Sequence, residues 1–150
     1  MTTAVASRRS TGTDRLRIAI VVLSLVGIGI AGYLTYVHYA GLNVPCPLSG
    51  GCETVQRSVY SKLAGVPVAV LGLLGYISIL GSLAIRGETG AIGGFAIALI
   101  GLGFSLYLTY RELFTIKAIC PWCVSSAVLM TALAVLTAVR ALREEPVGAP

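Results

Sequence analysis

Four long stretches of this chain contain no Asp, Glu, Lys or Arg, and they constrain its fold more than any other feature. They lie at about 18–39, 66–85, 90–110 and 118–139, and each is long enough to cross a bilayer as a helix. The whole sequence is 56% hydrophobic and 11% charged, whereas about 25% of an ordinary soluble domain is charged. The sequence therefore predicts an all-α integral membrane protein, a bundle of four transmembrane helices.

The basic residues that flank these stretches predict how the helices are oriented. Seven of the eleven Lys and Arg residues fall on the side of the two termini, and four fall on the opposite side. Because cytoplasmic segments carry the excess of Lys and Arg, we expect both termini in the cytoplasm. Residues 1–17 are then predicted to be a short disordered cytoplasmic arm, and residues 140–150 a charged cytoplasmic tail. This distribution also accounts for the net charge of +5, so the charge does not indicate nucleic-acid binding.

The longest connection, residues 40–65, is predicted to lie on the outer side of the membrane. Its Gly and Pro residues are typical of a loop. Val55, Val59 and Leu63 recur every four residues within it. This spacing predicts a short amphipathic helix that lies at the membrane interface.

All four cysteines fall on the predicted outer side, where disulfides form and persist. Cys46 and Cys52 lie in the first outer loop, and Cys120 and Cys123 form a C-x-x-C pair where the fourth apolar stretch begins. Pro121 suits the first turn of a helix, which places Cys120 at or near the N-cap. The positive end of the helix dipole would stabilise a thiolate there. Cys123 would lie deeper, nearer to a lipid-soluble reactant.

Two cysteine pairs at one outer surface predict a thiol–disulfide relay, in which thiolate attack on a disulfide passes two electrons through a mixed disulfide. The sequence contains no nucleotide-binding, haem or flavin motif. A quinone dissolved in the bilayer is therefore the expected electron acceptor. Two alternatives remain open at this point: a structural zinc site made of the four cysteines, and a small membrane transporter or metal-binding module that uses them as soft ligands.

The same residues resemble those of bacterial members of the vitamin K epoxide reductase family. The resemblance covers nearly everything from Arg17 to Arg143. It rests on the four apolar stretches, the Cys46/Cys52 loop pair, Ser58 six residues after Cys52, the GVP sequence at 65–67, and the CPWC sequence at 120–123. Quinone reductases of the disulfide-bond protein B type also have four helices, but their C-x-x-C lies in the first outer loop. The position of CPWC in the second loop separates the two families.

The resemblance implies a four-helix bundle around a quinone pocket, capped by the outer loop and its half-helix. It implies that Cys123 reacts with the quinone and that Cys120 is its resolving and exchange partner. Cys52 would relay electrons to Cys120, Cys46 would face an incoming thioredoxin-like protein, and Ser58 would lie near the head of the pocket. The implied activity is that of a thiol:quinone oxidoreductase in a bacterial cytoplasmic membrane. It would reoxidise the thiol protein, drive disulfide bond formation, and use no metal.

This chain departs from two groups of the family. Animal members carry a Tyr four residues after the second active-site cysteine, where this chain has Ala127. Menaquinone or ubiquinone is therefore a more plausible substrate than vitamin K epoxide. Many bacterial relatives also carry a fused thioredoxin-like domain, whereas this chain ends at Pro150, soon after the fourth stretch. The thiol partner is expected to be a separate protein.

Overall fold

The computed structural model describes residues 2–46 and 51–144, with the side chains of 11–46 and 51–143. Met1, the loop positions 47–50 and the tail positions 145–150 lie outside the described residues. The described helices are α1 (Thr2–Ala40), α2 (Gly51–Arg57), α3 (Val68–Ser82), α4 (Glu88–Arg111) and α5 (Pro121–Glu144). Between α2 and α3 lie a 3₁₀ turn (Val59–Ser61) and an antiparallel hairpin of β1 (Lys62–Leu63) and β2 (Val66–Pro67), and a π-helical turn (Glu112–Ile116) follows α4.

The four longer helices pack as a closed ring. Helix α1 lies against α3 and α5, and α4 lies against the same two helices. Each of the four contributes buried side chains to a common core, which includes Ile20, Ala31, Tyr76, Ile79, Ala98 and Leu133. Many large apolar side chains point outward instead, such as Leu25 on α1 and Ile100 on α4. Outward apolar surface is expected of helices surrounded by lipid, because lipid tails are as apolar as the side chains themselves.

Three described helical segments are long and apolar enough to cross a membrane: Thr11–Ala40, Glu88–Ile116 and Pro121–Arg143. Helix α3 is also apolar but has only 15 residues, fewer than the roughly 20 that a spanning helix needs. It is shorter than the uncharged stretch 66–85 because Val66 and Pro67 pair in the hairpin and the helix ends at Ser82. The predicted class, a mostly helical membrane protein, is confirmed.

A single tyrosine joins three of the helices in the core. Tyr76 on α3 is fully buried, and its ring packs so closely on Gly27 of α1 that a Cβ there would overlap it. Its hydroxyl donates a hydrogen bond to the Ser126 carbonyl oxygen on α5 at 3.0 Å and lies 2.8 Å from the Ser126 hydroxyl. The buried hydroxyl is thus satisfied. These contacts fix α5 one turn after its C-x-x-C pair.

The prediction that residues 1–17 form a disordered arm is wrong, because α1 is helical from Thr2 onward. Extending an existing helix adds one hydrogen bond for each residue fixed and avoids the cost of a new nucleus. The other end of the chain is likewise helical as far as Glu144. There the buried Arg140 guanidinium donates to the carbonyl oxygens of Ser82 and Ile85 at 3.4 Å, which caps the C-terminal end of α3.

The predicted amphipathic helix of the outer loop is also shorter than expected. Helix α2 ends at Arg57, and Val59 and Leu63 are 83% and 52% exposed rather than sharing a buried face with Val55. The helix cannot continue because Ser58 has an extended backbone, with φ −67° and ψ 156°. The chain then reverses in the hairpin, where Gly65 adopts a φ of 85° that favours glycine. This turn accounts for the glycine of the GVP sequence.

Candidate functional site

All four cysteines meet in a second buried cluster, separate from the core of the bundle. Cys52 and Cys120 are fully buried at its centre together with Val55. Cys46 and Cys123 pack against them and are partly exposed. The two pairs are therefore adjacent in space although the chain separates them by about 70 residues.

A disulfide closes the outer loop, and two contacts hold it against the start of α5. Cys46 and Cys52 are joined in a disulfide, which ties the end of the loop to the first turn of α2. Gly51 packs on the backbone before Cys120, where an added Cβ would lie 2.7 Å from the Ile119 carbonyl oxygen. The Trp122 indole N–H donates to the Pro45 carbonyl oxygen at 3.2 Å. The two segments are thus bound together by the residues that directly precede the four cysteines: Pro45, Gly51, Ile119 and Trp122.

Cys120 occupies the N-cap of α5, as the sequence predicts. The helix begins at Pro121, and the Val124 N–H donates to the Cys120 carbonyl oxygen at 3.0 Å. The pKa of the Cys120 thiol is lowered, mainly because the Cys123 thiol donates a hydrogen bond to its sulfur, with further help from the N–H groups of Cys123 and Trp122. Burial and the nearby Glu112 charge oppose this effect without reversing it. Cys120 is thus the sulfur that more readily becomes a thiolate.

Glu112 is a functional candidate that the sequence analysis missed, because it lies just after the third uncharged stretch, where a charged residue is ordinary. Its side chain is 3% exposed. One carboxylate oxygen accepts a hydrogen bond from the Cys120 N–H at 3.3 Å, and the carboxylate also contacts the Cys123 thiol. The π-helical turn and the left-handed Lys117 (φ 54°) fold the chain back so that Glu112 faces the dithiol. Glu112 lies seven residues after Ser105 and four residues after Leu108. Helical periodicity could therefore have predicted that it shares a helix face with these two residues.

A largely apolar cavity of about 440 Å³ opens beside Cys123. All four long helices and the outer loop contribute to its wall. The groups on it that can form hydrogen bonds include the side chains of Ser58, Glu112 and Ser126. Among the four cysteines, only Cys123 belongs to the lining. A mostly apolar wall with a few polar groups is typical of a site for a small, largely apolar molecule, which would here lie against the Cys123 sulfur.

The structure thus brings all the predicted site residues to one end of the bundle. Ser58 lines the cavity, and its hydroxyl donates to the Val55 carbonyl oxygen at 2.7 Å, which leaves its lone pairs free to accept. In the parts of the chain that the structure describes, no group of three or more His, Cys, Asp or Glu side chains is placed to hold a metal ion. The loop pair in its disulfide form also has no thiolates to offer to a metal.

Fold and site together define a class of protein: a helical membrane protein that holds a dithiol between a loop disulfide and an apolar cavity. Comparison with protein-family models then identifies the family, since residues 18–138 match the model of the vitamin K epoxide reductase family. The chain belongs to this family, which confirms the resemblance seen in the sequence. The family consists of membrane thiol–quinone oxidoreductases of disulfide bond formation.

Proposed function

We propose that this chain passes two electrons from a thioredoxin-like protein on the outer face to a quinone of the membrane, and thereby drives disulfide bond formation. The observation that carries the proposal is the shared burial of two cysteine pairs, of which one sulfur lines an apolar cavity. Thiol exchange needs sulfurs in contact, and delivery to a lipid-soluble acceptor needs a reactive sulfur at a lipophilic site. Menaquinone or ubiquinone is the proposed acceptor.

The exposure of the cysteines supports an order for the electron transfer. A thiolate of the partner attacks Cys46, which is partly exposed, and releases the fully buried Cys52 as a thiolate. After the partner has left as a disulfide, Cys52 attacks Cys120 in the Cys120–Cys123 disulfide. Cys46 then attacks Cys52, which restores the loop disulfide and leaves Cys120 and Cys123 reduced. The described molecule has this distribution, with a loop disulfide and two free cysteines.

The last step oxidises Cys120 and Cys123 again. Two S–H bonds break and an S–S bond forms. Two electrons and two protons pass to the quinone, which becomes hydroquinone. In this proposal Cys123 acts directly on the quinone because it is the cysteine that lines the cavity. Ser58 lies in the outer loop, where the free lone pairs of its hydroxyl accept a hydrogen bond from a hydroxyl of the hydroquinone. Cys120 is the more readily ionised of the two, so it can enter this step as a thiolate while Cys123 enters as a thiol.

We further propose that α3 crosses the membrane as a fourth span and that both termini lie in the cytoplasm of a bacterial cell. The excess of Lys and Arg on the side of the termini supports this orientation. It places the four cysteines outside the cytoplasmic membrane. A membrane-impermeant maleimide should then label the partly exposed Cys46 of the reduced loop pair in intact cells, and labelling only after lysis would reverse the orientation.

Quinone reduction by the purified protein in lipid tests the proposal as a whole. With dithiothreitol or a reduced thioredoxin-like protein as donor, we expect the ultraviolet absorbance of a ubiquinone or menaquinone analogue to change as it is reduced. Metal analysis of the same sample covers the alternative of a transporter or four-cysteine metal module. Stoichiometric zinc, unreactive cysteines and no quinone reduction would reject the oxidoreductase.

The close contact at Gly51 leads to a prediction about the exchange between the two pairs. Gly51→Ala should push α2 away from Ile119 and separate Cys52 from Cys120, because the added methyl group meets backbone. A misplacement of this kind should slow the transfer from the reduced loop pair to the Cys120–Cys123 disulfide by about 10- to 100-fold. Rapid alkylation followed by mass spectrometry measures this transfer in a single turnover.

Gly32→Ala provides the matched control, since a Cβ at Gly32 meets no atom within 4 Å. It adds the same methyl group to α1 and should leave the transfer unchanged. If Gly51→Ala transfers electrons as fast as Gly32→Ala, the contact at Ile119 does not set the distance between the two pairs.

A further inference from the structure

Among the carboxylates that the structure describes, Glu112 is the one that contacts the dithiol and also lines the cavity. It lines the cavity together with Cys123, and its side chain is 3% exposed. The Cys123 thiol proton lies within hydrogen-bond reach of two acceptors, the Cys120 sulfur and the Glu112 carboxylate. The carboxylate therefore borders both the sulfur that loses a proton and the space where a proton is needed.

No cation in the described part of the chain neutralises Glu112. The adjacent Arg111 points elsewhere, with its guanidinium carbon 4.9 Å from the centre of the Tyr60 ring. A buried carboxylate without an ion-pair partner is costly, and such groups cluster at functional sites. Other ionisable side chains on the surrounding elements have partners of their own or are exposed. Glu53 pairs with Arg57 on α2, and Tyr60 and Tyr107 contact Arg111. Tyr110 packs on Phe114, the buried Tyr76 hydroxyl bonds to Ser126, and Lys117 is exposed.

A purely structural role would be to hold the segment that leads into α5. The Glu112 carboxylate accepts the Cys120 N–H, and its backbone carbonyl accepts the Ala118 N–H at 3.2 Å. Neither bond requires a carboxylate, since the amide oxygen of a glutamine accepts an N–H equally well. What the carboxylate adds is the capacity to take up a proton beside Cys123.

We propose that Glu112 accepts the proton of the Cys123 thiol and returns it to an oxygen of the quinone. The inference rests on the proposed function and assigns a catalytic residue to its last step. The thiol proton moves to Glu112 as the Cys123 sulfur gives up electrons to the quinone. An S–S bond then joins Cys123 to Cys120, and the proton on Glu112 passes to one oxygen of the hydroquinone. The second proton of the hydroquinone comes from water and balances the proton that Cys120 releases to water. Glu112 is therefore ionised at the end of the turnover, as it was at the start.

Glu112→Gln tests this role because glutamine keeps the shape and the hydrogen bond from Cys120 but cannot take up a proton. The measurement is a single-turnover oxidation of reduced Cys120–Cys123 by quinone, followed over a range of pH. We expect the rate near neutral pH to fall about 100-fold or more. At alkaline pH hydroxide removes the thiol proton instead, so the difference from the unmodified protein should shrink.

Two further variants distinguish chemistry from folding. Glu112→Asp keeps a carboxylate and should retain more of the rate than Glu112→Gln. Glu88→Gln removes an exposed carboxylate at the other end of α4 and should leave the rate unchanged. Exchange between the partner protein and the loop disulfide should be normal in all three, since Glu112 takes no part in it.

Two results would overturn the inference. One is a Glu112→Gln rate within about threefold of the unmodified protein at every pH, well short of the loss expected for a missing proton acceptor. The other is a loss of the same size at every pH, which would show that the side chain only positions the dithiol. Both leave the proposed function intact, because the unmodified protein still reduces quinone. Failure of the unmodified protein to reduce quinone would instead reject the proposed function.

Discussion

Cys123→Ser is expected to abolish quinone reduction with every electron donor, lowering the rate by about 1,000-fold or more. Among the four cysteines, Cys123 alone lines the cavity, so its sulfur is the one that a quinone bound there can contact. Serine has nearly the same size, but its hydroxyl is not ionised at neutral pH and cannot form the disulfide with Cys120. The loss of quinone absorbance in the presence of dithiothreitol measures the effect.

Val124→Ser is the matched control for this variant. It places a serine hydroxyl in the same turn of α5, at an exposed position outside the cavity lining. We expect it to reduce quinone at the rate of the unmodified protein. Substantial turnover by Cys123→Ser would assign the quinone-facing role to another residue.

Cys46→Ser should separate the two kinds of electron donor. A thioredoxin-like protein is too bulky to reach the fully buried Cys52 or Cys120, so it depends on the partly exposed Cys46. A small dithiol such as dithiothreitol can instead reduce the Cys120–Cys123 disulfide directly, at the partly exposed Cys123 or when the loop opens. The variant should therefore lose nearly all turnover with the protein donor and keep much of its turnover with dithiothreitol.

The ratio of the two rates is the quantity to compare between variants. Cys52→Ser should show a similar split, but it cannot form a bridge to Cys120, so any trapped partner should be attached to Cys46. Equal losses with both donors in Cys46→Ser would mean that the loop pair is structural or belongs to the quinone site. The two-pair relay would then be wrong.

The sequence was most informative where residue type alone determines local structure. Uncharged apolar stretches are stable only as helices in lipid, because every backbone polar group must be paired within the segment. Pro121 marks the first turn of α5 because it has no N–H to lose there, which placed Cys120 correctly at the N-cap. Gly65 fits a turn with positive φ, and such a turn precedes α3.

Tertiary contacts account for what the sequence could not predict. Val55, Val59 and Leu63 have helical spacing, yet the backbone leaves the helix after Arg57 and only Val55 is buried. Glu112 looked like an ordinary charged residue at a membrane surface, and its burial depends on the π-helical turn that folds it back toward Cys120. Periodicity reports the face of one helix and carries no information about the segment that packs on it.

The shortness of α3 has a consequence for the membrane around the protein. Its 15 residues rise only about 22 Å, whereas the hydrocarbon core of a bilayer is about 30 Å thick. If α3 spans the membrane as proposed, this mismatch is met by local thinning of the bilayer or by sinking of the β1–β2 hairpin below the headgroups. The hairpin borders the cavity through Leu63. A quinone could then enter sideways without leaving the acyl chains, and lipid chain length would become one of the determinants of turnover.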